Sequence, residues 1–212
     1  MKKIIALAAL AAISATASAA NLITDGSFEA LSSGGSWTIN TAPTDGWTVG
    51  LAPATASGGA AVGLEVRQSG VAGTAEDGSK FIELDGNQND MISQSFTTVK
   101  GTTYELSFWF ADRPDLTAAQ SAKTGGFAYS IDGQTTTLKG FSFGTDWNQL
   151  VVDFVATGTK TSFSIWAQGT SDSLGTSFDN FSVTAVPEPA TLGLFAAGLA
   201  MLGLSSRRRR NN

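Results

Sequence analysis

Residues 102–111 read TTYELSFWFA, and their side chains alternate between two faces. Tyr104, Leu106, Phe108 and Phe110 share one face, while Trp109 and its polar neighbours share the other. Because successive side chains of a strand point to opposite faces of a sheet, this period of two predicts a strand with one buried face. The same alternation recurs at residues 149–154 and 162–167.

The chain between residues 21 and 185 favours short strands throughout. Further candidates lie at residues 21–24, 61–67, 80–84, 91–97, 126–131, 135–138 and 178–183, and residues 132–133 read as a hairpin turn. Only residues 116–123 suggest a helical turn, and residues 52–61 read as a flexible loop. Short strands separated by glycine-rich turns predict an all-β fold, an antiparallel β-sandwich of the jelly-roll type. Residues 21–185 have the size of one domain.

The N-terminal 20 residues have the three-part plan of a secretory signal peptide. Lys2 and Lys3 precede an apolar stretch at residues 4–13, and small residues occupy positions 17–20. We expect cleavage after Ala19 or Ala20, so that the sandwich is exported across the inner membrane.

The C-terminal segment, residues 186–212, predicts a membrane anchor. An uncharged segment of about 16 residues would rise about 24 Å as a helix, a little less than the hydrocarbon core of a bilayer. We therefore expect a transmembrane helix within it. Arginine is enriched on the cytoplasmic side, so the four residues that follow the apolar run predict a tail that stays inside: Arg207, Arg208, Arg209 and Arg210.

The same segment resembles the PEP-CTERM domain of Gram-negative bacteria. It combines Val-Pro-Glu-Pro, a short apolar run and an arginine cluster. The resemblance implies that Pro187, Glu188 and Pro189 form a sorting motif, recognised by an exosortase-type processing enzyme, and that the chain reaches the cell surface or an exopolysaccharide and biofilm matrix. The alternative is an ordinary anchor whose prolines only end the preceding strand.

Composition excludes several classes of function. Between the terminal segments lie seven basic and 17 acidic residues, a net charge of −10, which opposes nucleic-acid binding and suits divalent cations. The chain has no histidine, which excludes Ser-His-Asp and Cys-His catalysis and the common zinc sites. It has no cysteine, so disulfides do not hold it together.

Five segments of the predicted sandwich resemble galactose-binding-like jelly rolls, and more narrowly the choice-of-anchor C ectodomains. They read NLITDGSFE at 21–29, GW at 46–47, FIELDG at 81–86, ISQSF at 92–96 and FDNFSV at 178–183. The resemblance implies adjacent chain ends and one structural Ca²⁺ held by Glu29 and Asp179, with Asp25 beside them. We expect no organic cofactor. Alternatively these carboxylates are surface charges or turn formers.

Tryptophans on strand faces suggest a carbohydrate-binding surface. Trp109, Trp147 and Trp166 lie opposite the apolar residues of their strands, so three indoles could share one outward face. Flat aromatic side chains stack on sugar rings, while neighbouring polar groups such as Asn148 and Gln168 bind hydroxyls. The alternative is that these tryptophans are simply large buried hydrophobes.

We therefore expect a secreted or surface-anchored matrix protein that binds carbohydrate and has no enzymatic activity. One alternative is a calcium-stabilised adhesion protein with a protein partner. The other is a glycoside hydrolase, since that chemistry needs two suitably spaced carboxylates. The candidate carboxylates are Glu83, Asp85, Asp90, Asp112 and Asp115.

Overall fold

A computed structural model describes residues 19–41, 45–53 and 61–187 of the chain. Most of the predicted signal peptide and the predicted transmembrane segment lie outside these residues, as do Glu188 and Pro189. Within the described ranges, no helix is both long enough and apolar enough to span a bilayer.

Eleven strands and one short helix make up the regular structure of the described residues. In chain order they are β1 (Trp37–Asn40), β2 (Thr48–Leu51), β3 (Leu64–Gln68), β4 (Lys80–Glu83), β5 (Asp90–Thr97), β6 (Thr103–Ala111), α1 (Ala118–Thr124), β7 (Phe127–Ile131), β8 (Gln134–Leu138), β9 (Asn148–Val155), β10 (Lys160–Ala167) and β11 (Ser177–Ala185). A six-stranded sheet has the order β1-β3-β4-β11-β6-β9, and a five-stranded sheet has the order β2-β5-β10-β7-β8. Every strand pair is antiparallel, which confirms the predicted sandwich.

Phe108 lies in the core between the sheets, as the alternation in β6 predicts. Its ring stacks on that of Phe181 with centroids 5.0 Å apart, and its edge contacts include Phe127 of the opposite sheet at 5.7 Å. Such aromatic pairs contribute about 0.5–1.5 kcal/mol each beyond the apolar area that they bury. These contacts tie β6 and β11, which are neighbours in the six-stranded sheet, to the core.

The N-terminal segment lies beside the last strand, but the predicted strand at residues 21–24 is wrong. Leu22 donates its N–H to the Val183 carbonyl at 2.8 Å. The Asn21 side chain accepts from the N–H groups of both Ile23 and Val183, at 2.9 Å each. The Asn21 side-chain oxygen thus accepts from backbone N–H groups that would otherwise donate to backbone carbonyls of a regular strand pair. The two ends of the domain are adjacent, as the resemblance implies.

The loop of residues 69–79, which joins β3 to β4, folds over the outer face of the six-stranded sheet. Glu76 and Asp77 donate their backbone N–H groups to Oδ2 of Asp179 on β11, at 2.8 and 3.0 Å. Asp179 is fully buried. The 69–79 loop is therefore held by a carboxylate that rises from the sheet beneath it.

Candidate functional site

Two depressions meet at Ala72 on the outer face of the six-stranded sheet, and together they form what we call the outer-face groove. One has a volume of about 410 Å³ and the other about 270 Å³. The walls are the 69–79 loop on one side and the segment after β6 on the other. The side chains that matter below are Trp37, Glu65, Arg67 and Arg113 in the first depression, and Phe81, Asp112 and Trp147 in the second.

Strand register explains why these side chains meet. Trp37 of β1 is opposite Arg67 of β3, and Arg67 is opposite Phe81 of β4, so three neighbouring strands contribute one row. At the usual strand spacing, the row spans about 10 Å. The Trp147 ring then packs edge-on against Phe81 with centroids 6.1 Å apart, and its Nε1–H donates to the Thr74 carbonyl at 2.9 Å. A tryptophan therefore lies at each end of the groove.

A buried ionic cluster forms the floor. Arg67 contacts Glu65 at 2.6 Å and Glu83 at 2.7 Å, and Arg113 contacts Glu83 at 3.3 Å. Burial raises the pKa of Glu83 to about 8, although the two guanidinium groups oppose that rise. Arg113 also pairs with Asp115 at 2.8 Å, and its hydrogen bond lowers the pKa of the Asp115 carboxyl.

One hydrogen-bond donor of the Arg67 side chain has no acceptor among the described residues. This side chain is 3% exposed, and the donor is its Nη1. A buried donor without an acceptor costs about 1–3 kcal/mol. Because Arg67 lines the groove, an acceptor oxygen of a bound molecule would remove that cost.

The structure does not bring the three predicted tryptophans together. Trp147 lines the groove, whereas Trp109 lies on the same sheet opposite Asp179 and Gln149 and does not line it. Trp166 lies in the five-stranded sheet and is only 6% exposed. Trp166 lies on the side of β10 opposite the inter-sheet core, as its parity predicts, but Ala52, Ala128 and Met91 cover it there.

Trp37 is an aromatic residue of the groove that the sequence analysis did not include among the candidate site residues. It is 53% exposed at the start of edge strand β1 and lines the groove. A strand of four residues gives too short an alternation to assign its faces. The signal available was its position after the small residues SSGGS at 32–36, which predict a surface turn.

The residues of the predicted calcium site are held by protein donors. Glu29 accepts from the N–H groups of Ser79 and Lys80 at 2.7 Å each; burial raises the pKa of Glu29, but these hydrogen bonds outweigh it and lower the pKa overall. Burial raises the pKa of Asp179 to about 7, even though its oxygens accept three backbone N–H groups. Asp25 accepts from Ala30 through Oδ1, and burial raises its pKa.

Lys80 supplies a cation next to these carboxylates. Its ammonium donates to the carbonyl oxygens of Glu29 and Leu31, each at 2.7 Å. A calcium ion binds six to eight oxygens, and main-chain carbonyls are among its usual ligands, so Lys80 already occupies two of the candidates here. No group of three or more acidic side chains in the described part of the chain is placed to hold a metal. The calcium site stays a prediction.

Two of the carboxylates considered for glycoside hydrolysis, Asp85 and Asp112, accept hydrogen bonds from backbone N–H groups of loops. Asp85 accepts from the N–H groups of Asp172 and Ser173, at 2.9 and 3.1 Å. Asp112 accepts from those of Phe143 and Gly144, at 2.9 and 3.1 Å. Burial raises the pKa of Asp85 to about 6.

Two further candidate acids are fully buried. Asp90 accepts from the Gly63 N–H at 3.0 Å, and burial raises its pKa to about 7. Glu83 accepts from the Gly175 N–H at 2.7 Å besides its two arginines. A general acid must lie within hydrogen-bond reach of its substrate, and both of these side chains are 0% exposed.

Comparison with known proteins identifies the tail. Residues 185–210 match the protein family described as the PEP-CTERM protein-sorting motif. No curated protein is similar enough in sequence to count as a match. The chain therefore carries a PEP-CTERM sorting motif directly after its last strand, which marks an exported protein sorted at a membrane.

Solved structures share the fold of the sandwich. The chain is similar to TmCBM61, solved in complex with β-1,4-galactotriose, with 16% identity over 79% of this chain and 99% of that one, and a TM-score of 0.51. It is also similar to the CBM22-1 xylan-binding domain of Paenibacillus barcinonensis Xyn10C, with 16% identity over 82% of this chain and 100% of that one, and a TM-score of 0.45. A third match, the MgGH51 α-L-arabinofuranosidase, is 18% identical over 78% of this chain but only 26% of that enzyme, with a TM-score of 0.48. The sandwich has the jelly-roll fold of carbohydrate-binding modules.

Proposed function

We propose that this protein is a non-catalytic carbohydrate-binding protein, exported and sorted through its tail, whose outer-face groove holds a glycan outside the cell. The observation that carries the proposal is the groove itself. Trp37 and Trp147 lie at the two ends of a polar floor, in which one arginine donor has no acceptor among the described residues. The glycan we favour is an exopolysaccharide of the surrounding matrix.

The groove has the chemistry that sugars require. An indole ring offers a flat apolar surface to one face of a pyranose, and polar groups at the rim select hydroxyls and fix orientation. Arg67 Nη1 offers a donor and Glu65 an acceptor between the two indoles. The row from Trp37 to Phe81 is wider than one sugar ring, so we expect several consecutive sugars of a chain to be bound.

Affinity electrophoresis of the intact protein through gels containing neutral or acidic polysaccharides tests the proposal. We expect at least one polysaccharide to retard the protein, and Trp147→Ala or Trp37→Ala to abolish the retardation. Trp166→Phe is the matched control, because this tryptophan lies in the other sheet. Circular dichroism checks that each variant is folded.

Other outcomes would point to the alternatives. Release of reducing sugar would indicate a glycoside hydrolase. Binding to a protein with no polysaccharide retarded would favour an adhesion protein, and a calcium-dependent melting temperature that is lost in Glu29→Ala would support its structural Ca²⁺. Equal retardation of the protein and both groove variants would place the glycan elsewhere.

The tail adds a proposal about processing. We infer that an exosortase-type enzyme recognises Pro187, Glu188 and Pro189 and separates the sandwich from its anchor. Mass spectrometry of the mature protein tests this, because a C-terminus near residues 187–189 supports cleavage, whereas retention of Arg207 indicates a permanent anchor.

A further inference from the structure

The last strand ends very close to the segment predicted to enter the bilayer. Strand β11 ends at Ala185, and Val186 still donates its N–H to the Thr103 carbonyl at 2.9 Å. The apolar run begins at Thr191, so residues 188–190 are the whole connection after Pro187. Four extended steps from Pro187 to Thr191 span at most about 14 Å. The headgroup layer alone occupies about 5–8 Å on each side of a bilayer.

We call the end of the sandwich at which β11 ends the exit end, because a tail anchored in a bilayer would bring this end to the membrane. In the six-stranded sheet, Val155 of β9 is opposite Thr103 of β6, and the Thr103 carbonyl accepts the hydrogen bond from Val186. The turn before β6 brings Val99 to the same end, because its N–H donates to the Tyr104 hydroxyl at 2.9 Å.

The exit end carries exposed apolar side chains. Val99 is 65% exposed and Val155 is 58% exposed, and they are the two most exposed of the large hydrophobic residues in the described part of the chain. Lys100 directly follows Val99, is exposed, and supplies a positive charge. Three acidic groups lie in this region. Glu105 and Asp153 are exposed and opposite each other, two residues further along β6 and β9 from Thr103 and Val155. Asp132 accepts from the Thr157 hydroxyl at 3.4 Å. Apolar side chains flanked by a lysine suit the boundary between headgroups and acyl chains.

We propose that the exit end lies against the lipid headgroups while the tail is in the bilayer, with Val99 and Val155 in contact with lipid. This inference rests on the proposed membrane anchoring and concerns the surface that the anchor brings to the membrane. The groove lies toward the opposite end of β6, since the groove residue Ala111 ends this strand of nine residues and Asp112 follows it. At about 3.3 Å per residue, that strand holds the groove about 26 Å further from the membrane.

Single-cysteine labelling tests the orientation, because the natural chain has no cysteine. Val99→Cys, Val155→Cys and the control Thr145→Cys, an exposed position beside the groove, each receive an environment-sensitive fluorophore. The full-length protein is reconstituted in vesicles of phosphatidylcholine and phosphatidylglycerol that contain headgroup-linked quencher. We expect the quenching constants at positions 99 and 155 to be several-fold larger than at position 145.

Each other outcome overturns a specific statement. Equal quenching at the three positions in a membrane-inserted protein would overturn the orientation and leave anchoring intact. Quenching that appears only when a processing enzyme is present would replace lipid with protein as the occupant. A protein that stays in solution would overturn anchoring together with this inference, while glycan binding remains separately measurable by electrophoresis.

Discussion

Replacing Lys80 by methionine should destabilise the domain more than any other substitution of an exposed or half-buried lysine. The ammonium is the only group of that side chain that makes hydrogen bonds, and it donates to Glu29 and Leu31 at 2.7 Å each. Both acceptors belong to the N-terminal segment, so Lys80 joins that segment to β4 within the six-stranded sheet.

The magnitude follows from the two bonds. Hydrogen bonds to a charged group contribute about 1.5–3 kcal/mol each, and we take the lower figure for both because Lys80 is half-buried and water can partly replace it. The expected loss is therefore about 3 kcal/mol of unfolding free energy, which for a protein of this size corresponds to about 6–12 °C in melting temperature.

Differential scanning calorimetry of the intact protein measures the effect. Lys160→Met is the matched control, because Lys160 also begins a strand but its side chain is exposed. Substitutions at such positions usually change stability by less than about 0.5 kcal/mol. A melting temperature of Lys80→Met equal to that of the control would refute the reasoning. Recovery of the lost stability on adding Ca²⁺ would show that a calcium ion can replace the ammonium.

Three further outcomes are expected. The melting temperature should fall as the pH rises from 5 to 8. Burial raises the pKa values of four carboxyl groups in the folded state to between about 6 and about 8, so these groups lose protons in that window, whereas the unfolded chain has already lost them. A rise in melting temperature over this range, measured by thermal denaturation, would contradict this. Gly26→Ala should lower the free energy of unfolding by about 1–3 kcal/mol or more, because the added Cβ would collide with the carbonyl oxygen of Phe181. At Gly158 an added Cβ would make only ordinary van der Waals contacts, so Gly158→Ala is the control. Urea titration of both variants measures the difference. Trp166→Phe should lower the free energy of unfolding by less than about 1.5 kcal/mol. The substitution removes apolar contacts, but it also removes a buried indole N–H that has no partner in the described structure. A larger loss in the same titration would count against this explanation.

Alternation located the core strands correctly because burial on one face dictates it. Phe108, Phe163 and Ile165 all lie in the core, at the positions that a period of two assigns. The same reasoning could not decide what covers the outer faces. Parity correctly put Trp166 opposite Ile165, but Met91, Ala52 and Ala128 bury it.

The groove could not be predicted from the sequence, because the residues that line it come from distant segments of the chain. Trp37, Phe81 and Trp147 come to line one groove only through the order β1-β3-β4 and the fold of the 69–79 loop. Glu83 appeared as one of several acids, and its burial beside two arginines depends on that same strand order. The tail, in contrast, is a continuous motif, and its sorting signal was readable without any structure.

Hydrogen exchange of the protein with and without the polysaccharide that retards it in gels tests the central claim most directly. Amides of the 69–79 loop and of residues 111–115 should exchange more slowly when the glycan is bound, because both segments line the groove. Protection confined to the five-stranded sheet around Trp166, with the 69–79 loop unchanged, would contradict the assignment of the glycan to the outer-face groove.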